Sequence, residues 1–159
     1  MGGLGLGQGI RFQNPYRLQT ELGDDAESLS LTAAYVDLSV AVLFAGGHAI
    51  FHGATAHVSF ALDGVTQEVI TPSYMFLWLP DPRWGVTARA GMPIVIEPDA
   101  NAGFEFAGGG IFYLTAGIGV TASLVGSLFF SAATLESSRP AIPILSMEAG
   151  LVYDYEVLP

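Results

Sequence analysis

The chain is expected to be all-β, an antiparallel up-and-down transmembrane β-barrel of eight strands, folded as one domain over residues 1–159. Three observations predict this. Between Trp84 and Ile96 every second residue is apolar (Trp84, Val86, Ala88, Ala90, Met92, Ile94, Ile96), while the alternate row reads Gly85, Thr87, Arg89, Gly91, Pro93, Val95. A period of two is that of an extended strand with one apolar face. The pattern returns near the C-terminus, where Leu145, Met147, Ala149, Leu151, Tyr153, Tyr155 and Val157 alternate with Ser146, Glu148, Gly150, Val152, Asp154 and Glu156. Each apolar row is about as long as a tilted strand needs to cross a bilayer. Finally, 51% of residues are hydrophobic and mean hydropathy is +0.49, yet no apolar run approaches the roughly 18 residues of a membrane helix.

The elements follow in order. Strand one covers about Gly3 to Gln13, with Leu4, Leu6, Ile10 and Phe12 on one face and Gly5, Gly7, Gly9 and Arg11 on the other; glycines facing a crowded lumen leave room for long interior side chains. Asn14 to Ser28, with Pro15, Gly23 and an acidic cluster, reads as a long loop. Strand two, about Leu29 to Phe44, starts with Leu29, Leu31 and Tyr35 in one parity. It ends with Val36, Leu38, Val40, Val42 and Phe44 in the other, which implies a bulge or a projecting part. A turn at Ala45 to His48 leads to strand three, about Ala49 to Leu62, and Asp63-Gly64 signals a hairpin. Strand four, about Thr66 to Leu79, has Ile70, Tyr74, Phe76 and Trp78 outward, and Pro80-Asp81-Pro82 stops it. Strand five is Arg83 to Glu97, then Pro98 to about Gly109 reads as a loop, although Phe104 and Phe106 could begin the next strand. Strand six is placed at Phe112 to Ala122, a turn at about 123–126, and strand seven at about Gly126 to Thr134. Ser137 to Pro140 is the last loop before strand eight, about Ile142 to Val157.

An even strand count closes a barrel with both termini on one side, and the short turns then fall on that side. Phe44, Trp78, Trp84, Tyr153 and Tyr155 gather at that end as an aromatic girdle. Shared parity assigns Val86, Ala90, Ile94, Leu114, Ile118, Val120, Met147 and Leu151 to the lipid-facing side.

Composition excludes several functions. There is no lysine, the five cations are Arg11, Arg17, Arg83, Arg89 and Arg139, and the net charge is -10. Nucleic-acid binding needs clustered cations that are missing here. Glu21, Asp24, Asp25 and Glu27 read as solvated loop. Without cysteine neither a disulfide framework nor a thiolate metal site can form. Met1-Gly2-Gly3 lacks the charged and apolar regions of a secretory signal, so the chain is expected to be a mature form restarted with a methionine.

In length, strand count, loop asymmetry and alternation, nearly the whole chain resembles the small eight-stranded outer-membrane barrels, the family of the OmpA transmembrane domain and OmpX. The resemblance implies an integral outer-membrane protein of a Gram-negative envelope, structural or surface-exposed. It also implies contact with membrane lipid and lipopolysaccharide, a monomeric state, and lumen ion pairs able to swap partners and admit water or small ions. One departure is the ending Tyr155-Glu156-Val157-Leu158-Pro159, where such barrels commonly finish on an aromatic residue.

Charges inside a narrow barrel need partners, so Arg11 and Arg89 are expected to form lumen ion pairs with Asp37, Glu97 and Glu148, with Asp154 a further lumen acid. For Arg89, Glu148 is the first choice. His57-Val58-Ser59 has the H-x-S spacing of the outer-membrane lipid A deacylase, with Glu68 as a possible orienting acid. Parity points His57 and Ser59 into the lumen, away from lipid, so enzymatic activity is not expected. His48, His52 and His57 lack zinc spacing, and the glycine runs at 2–9 and 108–110 lack the following helix a phosphate cradle needs. No cofactor or metal is expected. The alternatives are a lipid- or lipopolysaccharide-modifying membrane enzyme, and a soluble β-barrel whose apolar faces turn inward around an apolar ligand.

Overall fold

The structure, a computed structural model, describes residues 1–12, 29–64, 66–97, 100–130 and 141–155. Its strands are β1 (Gly2–Phe12), β2 (Leu29–Leu31), β3 (Tyr35–Gly47), β4 (Ile50–Ala61), β5 (Glu68–Asp81), β6 (Trp84–Gly91), β7 (Ile94–Glu97), β8 (Asn101–Thr115), β9 (Ile118–Phe130) and β10 (Ala141–Tyr153). All pairings are antiparallel, and β1 closes on β10 from Gly2↔Tyr153 to Arg11↔Ile144, which turns the sheet into a ring; the short β2 pairs with β1 alone. β2 with β3, and β6 with β7, each make one side of the ring, giving eight staves.

Both interruptions have local causes. Leu31 is exposed on the outside while Tyr35 faces in, so the stretch 32–34 inserts the residue that shifts parity. Gly9 spans the gap by donating its N–H to Thr32 Oγ1 and accepting from the Thr32 N–H. Between β6 and β7, Pro93 has no N–H to give to a ladder. It is fully buried on the lumen side, and its carbonyl accepts from Gly103.

Three two-residue turns, His48–Ala49, Pro82–Arg83 and Ala116–Gly117, lie at the end that holds Met1 and Tyr153. We call this the turn end and the opposite rim the loop end. The turn expected near 123–126 is corrected by this topology: β8 starts at Asn101 and turns at Ala116–Gly117, with Gly117 at φ 82°. Strand six therefore begins earlier than Phe112, most of the 98–109 loop is strand, and β9 occupies 118–130. The physical reason is that Leu114 and Ile118 both point outward, so the outward parity passes through the hairpin unbroken. The predicted loops at Asn14 to Ser28 and Ser137 to Pro140 lie outside the described residues.

The barrel is inverted relative to a soluble core. Met147 is 69% exposed on the outer wall, whereas Leu77 is 2% exposed inside. At the turn end the lumen is filled by Leu77, Ile111 and Val152, against which Met1, Leu43, Phe51, Leu79 and Tyr113 pack. This apolar floor departs from the wholly polar filling the sequence suggests.

Candidate functional site: the lumen network

Above the floor the inward rows carry polar groups. Period-two geometry on six different strands brings Tyr35 and Asp37 (β3), His57 and Ser59 (β4), Arg89 (β6), Glu105 (β8), Ser123 and Ser127 (β9) and Glu148 (β10) to mid-lumen. The glycines of β1 make the space for them: a Cβ on Gly7 would run into the Tyr35 ring, which lies across it.

Arg89 is the centre of one half. Its Nη2 lies 3.4 Å from Glu148 Oε2 and 3.1 Å from Glu105 Oε1. The first contact is a hydrogen bond; the second is within ion-pair reach but out of line for one, leaving Glu105 Oε1 and Arg89 Nη1 buried without hydrogen-bond partners. The Tyr35 hydroxyl donates to Glu148 Oε1 at 2.9 Å, Ser123 Oγ to Glu148 Oε2 at 3.4 Å, and Ser127 Oγ to Glu105 Oε2 at 3.2 Å.

The other half is built on Asp37, 6% exposed. Its Oδ2 lies 2.8 Å from His57 Nδ1, and its Oδ1 accepts from Ser59 Oγ at 2.7 Å. The Thr55 hydroxyl donates to the Val40 carbonyl at 3.1 Å, so toward His57 Nε2, 3.3 Å away, it offers a lone pair that the ring can meet only with an N–H.

Two cavities flank this layer. A loop-side cavity of about 90 Å³ is lined by Tyr35, Asp37, His57, Arg89, Glu105 and Glu148 among others. A turn-side cavity of about 100 Å³ shares Asp37, His57, Arg89 and Glu148 with it. The polar layer is thus the partition between them.

Several sequence expectations change. Arg89 does meet Glu148, but Glu105, hidden in a segment read as loop, is nearer. Asp37 is paired with a histidine. Glu97 is exposed at the loop end, the last residue of β7 beyond a register shift that sets it opposite Glu68. Arg11 points inward with its Nε buried and unpartnered, and among the described residues it forms no ion pair. Asp154 sits at the turn end and accepts from Tyr113 at 3.3 Å. The His57–Ser59–Glu68 arrangement is not assembled: Ser59 binds Asp37, and Glu68 lies on the outward parity of β5. No group of three or more metal-ligating side chains occurs among the described residues.

On the outer wall Val86, Ala90, Ile94, Leu114, Ile118, Val120, Met147 and Leu151 are all exposed. Phe44, Trp78, Trp84, Tyr153 and Tyr155 are exposed near the turn end, with Trp78 and Trp84 edge to face at 6.2 Å. Phe112, opposite Trp84 in the register, adds a ring that the sequence reading left in the strand without a role. His52 also lies on this surface, hydrogen-bonded to Tyr74.

This closed ring of eight antiparallel staves with short turns on one rim has counterparts among solved structures. The attachment invasion locus protein Ail of Yersinia pestis superposes with a TM-score of 0.58 at 7% identity, covering 96% of each chain. The chain has the fold of the small eight-stranded outer-membrane β-barrels. Neisserial surface protein A gives 0.56 at 6% identity over 97% of this chain and 96% of that one. The N-terminal barrel domain of Pseudomonas aeruginosa OprF gives 0.53 at 12% identity over 94% and 96%. No family model matches the sequence, and no curated protein matches it. At such identities the likeness is one of fold, carried by alternation and closure.

Proposed function

We propose that the protein is an integral outer-membrane barrel, a structural or surface-exposed component of a Gram-negative envelope, monomeric, in contact with phospholipid and lipopolysaccharide, and with its lumen closed. The observation that carries the closed lumen is the polar layer of Arg89, Glu105, Glu148, Tyr35, Asp37 and His57, set in series with the apolar floor across the turn-side cavity. A charged layer alone can rearrange to pass water, but an apolar constriction in series with it resists wetting. The eight exposed outer-wall positions and the girdle supply the lipid-facing belt, and the fold likeness to outer-membrane barrels supports the location.

The refolded protein is expected to show heat-modifiable gel migration in detergent and no steady conductance in planar bilayers. Stable conductance steps would refute the closed lumen; folding without detergent would refute the membrane reading.

A second reading is supported by one feature, the hydroxyl–imidazole–carboxylate order of Thr55, His57 and Asp37, which is that of an activated nucleophile. Thr55 is 5% exposed, already donates to Val40, and opens only on the turn-side cavity. A lipid on the outer wall has no route to it, so we assign these three residues to the closing layer and propose no catalysis.

A further inference from the structure

We propose that the loop-side cavity of the lumen binds a hydrated monovalent cation against the Glu105 carboxylate. The inference rests on the closed-lumen reading and adds an occupant to it.

The first argument is charge. Mid-lumen, the groups facing one another are Asp37 from β3, His57 from β4, Arg89 from β6, Glu105 from β8 and Glu148 from β10. The neighbouring staves contribute only neutral side chains to this cavity, such as Thr71 from β5 and Ser127 from β9. Arg11 does not line it. Among the described residues three carboxylates therefore face one guanidinium and one imidazole, an excess of negative charge whether or not the imidazole is protonated. An uncompensated charge inside a membrane-spanning element is costly and calls for a counter-charge or a proton.

The second argument is hydrogen bonding. Both oxygens of Asp37, both of Glu148 and Oε2 of Glu105 are engaged by donors. Glu105 Oε1 alone has no hydrogen bond, in a residue that is 8% exposed. That oxygen faces Arg89 Nη2 at 3.1 Å, an ion-pair contact out of line for a hydrogen bond. The buried Arg89 Nη1 beside it lacks an acceptor. Water alone would satisfy both atoms but leave the charge. An ion that brings its own water meets both atoms and lowers the excess negative charge by one, its charge on Oε1 and a water oxygen accepting from Nη1.

Size and ligand number select the class. A cavity of about 90 Å³ has room for an ion and several waters, since one water needs roughly 10–15 Å³ of such volume. With one carboxylate oxygen outside the hydrogen-bond network, the site lacks the roughly six to eight oxygens a calcium ion collects. Sodium or potassium retaining most of its water fits.

The test is thermal unfolding of the refolded barrel in zwitterionic detergent, in sodium, potassium or choline chloride at equal ionic strength. At a cation concentration about tenfold above its Kd, sodium or potassium is expected to raise the midpoint over choline by about 3–6 °C. Glu105→Gln, which keeps the shape and removes the charge, should unfold at the same temperature in all three salts. Equal midpoints for the unaltered protein in choline and sodium would overturn the site, as would a sodium effect that survives in E105Q. A protonated-carboxyl infrared band that disappears in E105Q would also overturn it, by showing a proton in the cation's place. Should E105Q fail to refold, Glu105→Asp, with its carboxylate withdrawn from the cavity, should weaken the cation effect at least threefold, and an undiminished effect counts against the site. Conductance reports on the closed lumen and salt-specific stability on the ion, so the two readings fail separately.

Discussion

Replacing Arg89 with methionine removes the one guanidinium that the described residues place in the mid-lumen layer, while keeping much of its aliphatic length. At an effective dielectric constant of about 20, unit charges at the distances to Glu105 and Glu148 attract by about 5 kcal/mol each, before the cost of desolvating them. Breaking a buried pair from one side typically costs about 3–5 kcal/mol, because the orphaned charge remains. Here two carboxylates lose the same partner, 3.1 and 3.4 Å away, so R89M is expected at the upper end of that range. Urea unfolding of vesicle-inserted protein, followed by the fluorescence of Trp78 and Trp84, measures it. The discriminating experiment is the pair of double-mutant cycles with Glu105→Gln and Glu148→Gln. Each joint replacement should recover part of the loss, with a coupling of about 1–3 kcal/mol. Coupling to neither carboxylate would refute the network as drawn. Coupling to Glu148 alone would mean that the Glu105 contact, close but poorly aligned, contributes nothing.

Three further outcomes are expected. Ala90→Arg puts a cation on the outer wall and should destabilise the inserted barrel by about 2–4 kcal/mol if the position is near the bilayer midplane; urea unfolding in vesicles that shows no loss would remove strand β6 from the lipid belt. Gly7→Val should displace the Tyr35 ring and break its hydrogen bond to Glu148, costing about 1–3 kcal/mol; a Tyr35→Phe background should absorb part of that cost, and simple additivity would argue against the contact. Leu77→Ala opens a cavity in the apolar floor and should cost about 2–5 kcal/mol, with the lumen then admitting water; unchanged stability together with unchanged solvent exchange would show that the floor is not packed.

The strands flanking the long loops were legible because one wall faces lipid and the other does not, so alternation is nearly complete in β6, β7 and β10. The parity change before Val36 marked one interruption, whereas the break at Pro93 was read through as a single strand from Arg83 to Glu97, because the alternation continues across it. The β8–β9 hairpin was not legible, because a two-residue turn conserves parity and its outward row reads as one strand from Phe112 to Ala122. That error moved Glu105 into a supposed loop and removed from view the carboxylate nearest Arg89. The apolar floor was missed for a related reason. Leu43, Phe51, Leu77, Leu79, Ile111 and Val152 occupy inward rows, and a reading that assigns apolar residues to the lipid side has no place for them.

That floor gives the two ends of the barrel different thermodynamics. Outer-wall side chains stay against hydrocarbon, but Leu77, Ile111 and Val152 are enclosed by protein and packed with Met1, Leu43 and Phe51, as in a water-soluble core. Burial of that kind carries a large heat-capacity change and weakens on cooling. The Met1 nitrogen donates to the Ala41 carbonyl at 3.0 Å in the same region, and β1 meets β10 there through Gly2 and Tyr153. The seam between the first and last staves is therefore clamped by a small soluble-type core, while the charged layer nearer the loops is held by electrostatics. Cooling weakens the first without weakening the second in the same way, so the turn end is the more temperature-sensitive part of the barrel, while the buried charges above it are little screened by salt.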